Sequence, residues 1–446
     1  MIAFVTLLLG LISGIYPIEV AVSGPVAAVE FQLDGTGAGR IEGPPWVARV
    51  NLGLDLRPHE LVARALDAEG KEISRVSQWL NLPRPPAEVE IVLENRKGGA
   101  PEAAVLTWQS VNGVKPTSVG LTLDGEPLKV SGDGRAALPS RDLKTLHVLT
   151  AELWFPPGLL ARKDVVFGGE YGSEVSTELT AVPVRVRPGA VLPPPEGLQG
   201  WFAAAGQPVA VAAVEDGPGK VVLVRVPSGN EVSRRLVPLA SSGGPGGPGE
   251  TEQRLRTEKL RRQLPLGPED RVRFLSLSSN SFKQSKVPAE LFDMTPELTT
   301  QDGGMLWFLT NSFLIKEPRG KGRRVADAVA VAGLQAAADN HRRTVVLVLG
   351  RALDDTSQYD PAKVRGYLQS IRVPLFVWSL YGSDTPSARA WGGAEDISTL
   401  AKLREAVARL QAELDSQKIV WVEGRHLPQA VSLTPAAQGV ELPGAP

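Results

Sequence analysis

The side chains best suited to chemistry are few and scattered. His59, His147, His341 and His426 are the four imidazoles, and none stands in the HExxH or HxH spacing that would bring two rings to one metal. Cysteine is absent, which removes disulfides, zinc–thiolate centres, iron–sulfur clusters and thiol nucleophiles from consideration. There is no GxSxG elbow, P-loop or dinucleotide fingerprint. Gly35-Thr-Gly37-Ala-Gly39 has the wrong spacing for that fingerprint, and it follows an alternating strand-like run instead of opening a helix. Asp and Glu are plentiful, so a glycosidase-type pair of carboxylates held about 5 to 10 Å apart in a cleft remains the enzymatic alternative. The reading favoured by the residues is a non-enzymatic protein with no cofactor.

Charge points the same way. Forty-eight basic residues oppose 49 acidic ones for a net charge of -1, so no global field holds nucleic acid or an anionic membrane. The densest cationic cluster is Lys316, Arg319, Lys321, Arg323 and Arg324. It reads as a solvated loop before a helix or, alternatively, as a receiver for an acidic partner or anionic glycan.

The elements that must position any site come in two regimes. A length of 446 residues suggests about three domains at roughly 100 to 200 residues each, and 43% hydrophobic residues is a globular composition. Ile2 to Ile15 is an uncharged apolar run of h-region length, too short to span a bilayer, so residues 1–24 are expected to be a signal peptide and the mature chain secreted or periplasmic. The competing reading of that run is a buried first strand. Residues up to Arg187 then show short alternating runs bounded by turn residues, such as Val29-Glu-Phe31-Gln-Leu33 before Asp34-Gly35. A weak repeat lies within them. Leu33-Asp34-Gly35 is followed by His59-x-Leu61-x-Ala63, and Leu123-Asp124-Gly125 by His147-x-Leu149-x-Ala151, which implies two related β modules with structural histidines.

The Pro-rich stretch 189–197 reads as a stiff interdomain linker, and the Gly/Pro-rich stretch 241–250 as a flexible loop. Beyond the first of these, the period changes. Val221–Val224, Val272–Leu277, Thr344–Leu349 and Val373–Leu380 are continuous apolar runs of the buried parallel type. Helical patterns separate them: Val325–Asp339, Pro361–Ile371, and a stripe of Ile397, Leu400, Leu403, Val407, Leu410 and Leu414 with Asp396 or Ser398 as cap. A last strand is expected at Lys418–Val422. Strand–helix alternation of this kind predicts a doubly wound sheet.

Two family resemblances follow from these segments. Val29 to Gly35, Pro44-Pro45-Trp46 and His59 to Gly70 resemble a bacterial immunoglobulin-like domain, which implies a spacer or binding module on an exported protein. Gly322-Arg-Arg-Val-Ala-Asp-Ala328, Arg343 to Gly350, Asp354-Asp355-x-Ser357 and Val364 to Pro374 resemble a von Willebrand factor A domain over residues 198–430. That family binds a divalent cation at the C-terminal ends of its strands. Here the matching Asp-x-Ser-x-Ser position holds Val226-Pro227-Ser228-Gly229-Asn230, the second-loop Thr is Arg323, and Thr-Asp-Gly is Leu349-Gly350-Arg351. A guanidinium repels the ion it replaces a ligand for, so a degenerate, metal-free site is implied.

The combined expectation is two N-terminal all-β immunoglobulin-like sandwiches, residues 25–86 and 87–188, then an A-type, Rossmann-type α/β doubly wound domain at 198–430 and a tail at 431–446. The function expected is protein interaction, adhesion or scaffolding with an unidentified protein partner. Ser228, Asn230, Arg323, Gly350, Asp354 and Asp355 form the candidate partner-binding rim. The alternatives are an exported carbohydrate-active or peptide-processing enzyme and a purely structural envelope component.

Overall fold

Alternation along His59–Leu66, with every second side chain buried, makes it the spine of the first β module. A computed structural model describes residues 2–6, 8, 10–22, 25–83, 87–95, 101–110, 115–139, 145–155, 159–168, 179–237, 259, 262–279, 292–311, 323–351 and 355–444. The chain divides into two units: residues 1–83 with 179–446, and residues 84–178.

In the first module, Thr36–Ile41, Ala28–Leu33, His59–Leu66 and Glu72–Leu80 form one sheet in that order. Ile2–Phe4, Ile15–Val22 and Val47–Asn51 form the other. The residues expected to be a signal peptide are therefore laid down as strands: Ile2 pairs with Val22, and Ile18 with Ala48. Ile2, Phe4, Leu8, Ile12, Ile18 and Val20 are buried with Val29, Phe31 and Leu61 in one core, so the module spans 2–83, not 25–86. Among the described residues of the apolar run only Ile2–Phe4 is a strand before the next begins at Ile15, and Leu8 and Ile12 between them enter the same core without belonging to a strand.

The repeat seen in the sequence is a clasp. Asp34 and Gly35 both have positive φ, 52° and 76°, and Asp124 and Gly125 match them at 52° and 83°. Each pair forms a two-residue hairpin turn whose handedness suits twisted strands. The turn carboxylate then grips the neighbouring strand. His59 Nδ1 lies 2.7 Å from Asp34 Oδ2, while the Glu60 N–H donates to Oδ1 at 2.9 Å. In the second module His147 Nδ1 is 2.8 Å from Asp124 Oδ2, and the Val148 N–H donates to Oδ1 at 2.9 Å.

The second unit is a sandwich of its own. Glu126–Pro127, Ser118–Leu123, Leu146–Phe155 and Leu159–Gly168 face Arg135–Ala137, Pro101–Ser110 and Ala87–Asn95 across a core that includes Leu106, Leu121, Leu149, Leu153 and Phe155. The expected boundary at 188 is too late, because Leu179–Val186 pairs antiparallel with Gln417–Glu423. These two belong to a third β unit the sequence reading missed. It consists of Val211–Glu215, Gln417–Glu423, Leu179–Val186 and Val440–Glu441 in one sheet, and Gln207–Val209, Phe202–Ala204 and Val431–Leu433 in another. Three expectations change with it. The strand near 418–422 is not part of the doubly wound sheet. Residues 431–446 are not merely a tail, since Val431 and Val440 are buried. Residues 189–197 do not link domains, since Leu192 and Leu198 on either side of the proline run pack into this unit's core. The expected loop 241–250 lies outside the described residues.

Between these β segments sits a six-stranded sheet. Counted along the chain, its strands are Gly219–Arg225, Arg271–Ser279, Phe292–Met294, Arg342–Leu349, Leu375–Ser379 and Glu395–Asp396. Their spatial order is 3-2-1-4-5-6, with only the third antiparallel to its neighbour. That is a doubly wound order. The central strands are apolar runs buried on both faces, as parallel strands covered by helices must be. Helices Val325–Ala337 and Pro361–Ser370 cover one face, and Gly229–Leu236, Met305–Thr310 and Leu400–Ser416 the other. The last of these is capped by Thr399, whose Oγ1 accepts from the Lys402 N–H, in place of the expected Asp396 or Ser398.

Candidate functional site

In a doubly wound sheet the chain leaves the first and fourth strands in opposite directions, opening a crevice at their C-terminal ends. Here those ends are Val226-Pro227-Ser228 and Gly350-Arg351. Ser228 caps helix Gly229–Leu236 by accepting the Glu231 N–H at 3.1 Å. Asn230 is exposed in that helix's first turn. Gly350 is buried; a Cβ there would lie 3.8 Å from Pro227 Cβ and 3.9 Å from Glu231 Oε1. Arg323, half-buried, donates from Nη1 to the Val226 carbonyl at 3.0 Å. Thus Ser228, Arg323 and Gly350 do converge on one strand end, with Asn230 at its margin.

Asp355 has a different task. Its Oδ1 accepts the Val325 N–H at 3.0 Å and its Oδ2 the Ala326 N–H at 3.1 Å, so it caps helix Val325–Ala337 from a separate loop. That helix needs an outside cap because Arg324, at its own N-cap position, offers no acceptor. Ser357 donates its N–H to Asp355 and accepts the Asp327 N–H, while Asp327 in turn accepts the N–H groups of Gln358 and Tyr359. The two loops are laced together, with both Asp355 oxygens engaged by backbone donors. Asp354 lies outside the described residues.

The same strand end also carries groups that sequence reasoning missed. Tyr381, just past strand Leu375–Ser379, donates its hydroxyl to Glu231 Oε1 at 2.8 Å. The Arg235 guanidinium lies 4.9 Å from the centre of its ring. Acceptance by Glu231, then desolvation, raises the Tyr381 pKa above its ordinary value, which keeps the phenol a neutral donor at neutral pH. The signal available beforehand was position alone: Tyr381 follows a parallel strand at the end where such sheets bind ligands. Glu231 lies beside Gly350 with its carboxylate held by Tyr381, Arg235 stacks on that ring, Arg323 is held on the Val226 carbonyl, and Arg351 follows Gly350, exposed. Among the described residues no three of His, Cys, Asp and Glu cluster closely enough to hold a metal ion.

No protein-family model matches the chain, and no curated protein does. Among solved structures, the chain shows similarity to the fibronectin(III)-like modules of Clostridium thermocellum CbhA, with 15% identity over 38% of this chain and 94% of that one and a TM-score of 0.16. The central fibronectin-III array of RIM-binding protein gives 12% identity over 44% and 80%, with a TM-score of 0.23. A β-glycosidase from Bacteroides vulgatus gives 12% identity over 38% of this chain but only 24% of that one, with a TM-score of 0.19. Scores this low establish no shared overall fold, and the sandwich architecture described above rests on the sheets themselves. Among the described residues no helix is long and apolar enough to cross a membrane.

Proposed function

We propose that this chain is a non-enzymatic protein-interaction protein whose α/β domain is an A-type domain with a guanidinium where the family holds a divalent cation. The observation that carries this reading is Arg323: its Nη1 sits on the Val226 carbonyl, at the end of the first strand, where the resemblance places the ion. A fixed positive charge there disfavours a cation and favours a carboxylate. The strand order 3-2-1-4-5-6 supports the choice of this end, since ligands of such sheets bind at the switch between strands 1 and 4. The partner class that fits is a protein surface presenting an acidic side chain to Arg323 and Arg351, beside the Tyr381 hydroxyl that Glu231 already holds.

The chain has no cysteine, so Asn230→Cys creates a single thiol at the rim for a benzophenone label. Irradiation in an extract of the source cells is expected to give a discrete protein adduct that disappears when Arg323→Glu is added in a variant with an unchanged thermal melt. An adduct indifferent to Arg323→Glu, or equally abundant from a label at the exposed position Leu54, contradicts the proposal.

A further inference from the structure

Strand Leu375–Ser379 is paired on one side for its full length, from Val345↔Leu375 to Leu349↔Ser379. On the other side it is paired only at Trp378 and Ser379, by the short strand Glu395–Asp396. Burial follows the pairing: Leu375, Phe376 and Val377 are half-buried, Trp378 and Ser379 fully buried. The phase of the ladder is fixed at both ends, because the Val345 N–H donates to Pro374 O and the Ile397 N–H to Ser379 O. In a parallel ladder this turns the main-chain groups of Leu375 and Val377 outward. The short strand reaches only as far as the Val377 carbonyl. The Leu375 N–H and C=O and the Val377 N–H are therefore left without a strand partner among the described residues.

A cleft of about 440 Å³ runs along this open edge. Leu368, Phe376 and Trp391 give it apolar walls, and Arg365 and Gln369 polar ones. Gly392 has a φ of 79°, the left-handed region that favours glycine, and Gly393 leaves open space beside it. The charges in the cleft are unequal. Glu395 is already bound by Arg409 at 3.0 and 3.3 Å. Arg365 donates to the Trp391 carbonyl at 3.1 Å and has no carboxylate partner among the described residues. An exposed, unprotected strand edge is a template for another strand.

We infer that this edge receives an extended segment of a partner protein, added as a parallel or antiparallel strand beside Leu375–Val377, with alternate apolar side chains in the cleft and an acidic side chain on Arg365. Main-chain hydrogen bonds supply the attachment, and the Arg365 charge the selectivity. This site is separate from the Arg323 rim and does not depend on that reading.

The test uses the full chain and two fluorescein-labelled, acetylated heptapeptides, one alternating valine with glutamate and the other alternating valine with lysine. Fluorescence anisotropy is expected to show saturable binding of the glutamate peptide at least tenfold tighter than the lysine peptide. Arg365→Glu is expected to reverse that preference, and hydrogen exchange at the Leu375 and Val377 amides to slow when the glutamate peptide is bound. A second variant guards against misfolding: Gln369→Cys, an exposed lone thiol, is expected to bind normally until a bulky maleimide is attached and then to lose the peptide. Absence of saturable binding, equal binding of both peptides, or an unaltered preference in Arg365→Glu overturns the inference. Concentration-dependent self-association that protects the same amides without peptide also overturns it, since a second copy would then hold the edge.

Discussion

Asp34 links a hairpin turn to a buried histidine, and its environment makes that link pH-dependent. Burial, the largest single influence, pushes its pKa up, but the hydrogen bonds from His59 and the Glu60 N–H and the charges of His59 and Arg57 outweigh it, leaving the pKa below its ordinary value. A depressed carboxylate pKa contributes stability that is present above about pH 4 and lost as pH falls through the folded-state value. The wild-type advantage over Asp34→Asn in urea titrations is therefore expected to shrink below about pH 4; an advantage that grows there contradicts the clasp. At neutral pH, Asp34→Ala is expected to cost about 1.5 to 3 kcal/mol, the scale of a hydrogen bond to a charged group whose partner stays buried. Asp355→Ala removes a helix cap and should cost about 1 to 2 kcal/mol by urea unfolding, with no dependence on added divalent ions. These roles were partly legible in the sequence. The repeated Leu-Asp-Gly and His-x-Leu-x-Ala spacing pointed to two related modules with structural histidines but not to the Asp–His contact, because strands Ala28–Leu33 and His59–Leu66 are neighbours in the sheet without being consecutive in the chain. Asp355 stood in the rim on family analogy, and only the distant Val325 and Ala326 amides reveal it as a cap.

Elements were legible in proportion to how locally their burial is determined. The strands Gly219–Arg225, Arg271–Ser279, Arg342–Leu349 and Leu375–Ser379 appeared as apolar runs because helices cover both faces of the sheet, and Pro361–Ser370 and Leu400–Ser416 showed a helical stripe, whereas the short helices Gly229–Leu236 and Met305–Thr310 were not read from the sequence. The third β unit was invisible because its two halves, 179–215 and 417–442, are separated by the whole α/β sheet, and no local pattern encodes a pairing of Val182 with Val420. The switch-point residue Tyr381 was missed for a similar reason, as its partner Glu231 is 150 residues away. Packing between elements is also set by single positions. A Cβ on Gly333 of helix Val325–Ala337 would lie 2.0 Å from Leu368 Cδ2 and 3.4 Å from Ile371 Cδ1, both in buried side chains. Gly333→Val is thus expected to destabilise the α/β domain by about 1 to 3 kcal/mol through overpacking. An unchanged urea midpoint would show that the two helices do not cross this closely.

At the scale of the molecule, residues 84–178 carry their own two sheets and core, interrupting a unit built from 1–83 and 179–446. Expressed alone, 84–178 is expected to unfold in one cooperative thermal transition; a broad, non-cooperative melt would mean that its core is incomplete. In the larger unit Arg323 donates to the Val226 carbonyl at the end of the first strand, where the proposed A-type reading puts a guanidinium in place of an ion. The most direct measurement is calorimetric titration of the full chain with Mg²⁺, Mn²⁺ and Ca²⁺, paired with thermal melts. Binding to the native state at one hundred times Kd adds about 2.7 kcal/mol, a melting shift of about 5 to 11 °C for a domain of about 150 to 250 residues. The guanidinium predicts no saturable heat and no shift with any of the three ions. Saturable binding with a raised Tm, lost on replacing Asp354 and Asp355, contradicts it and reinstates a metal-dependent site.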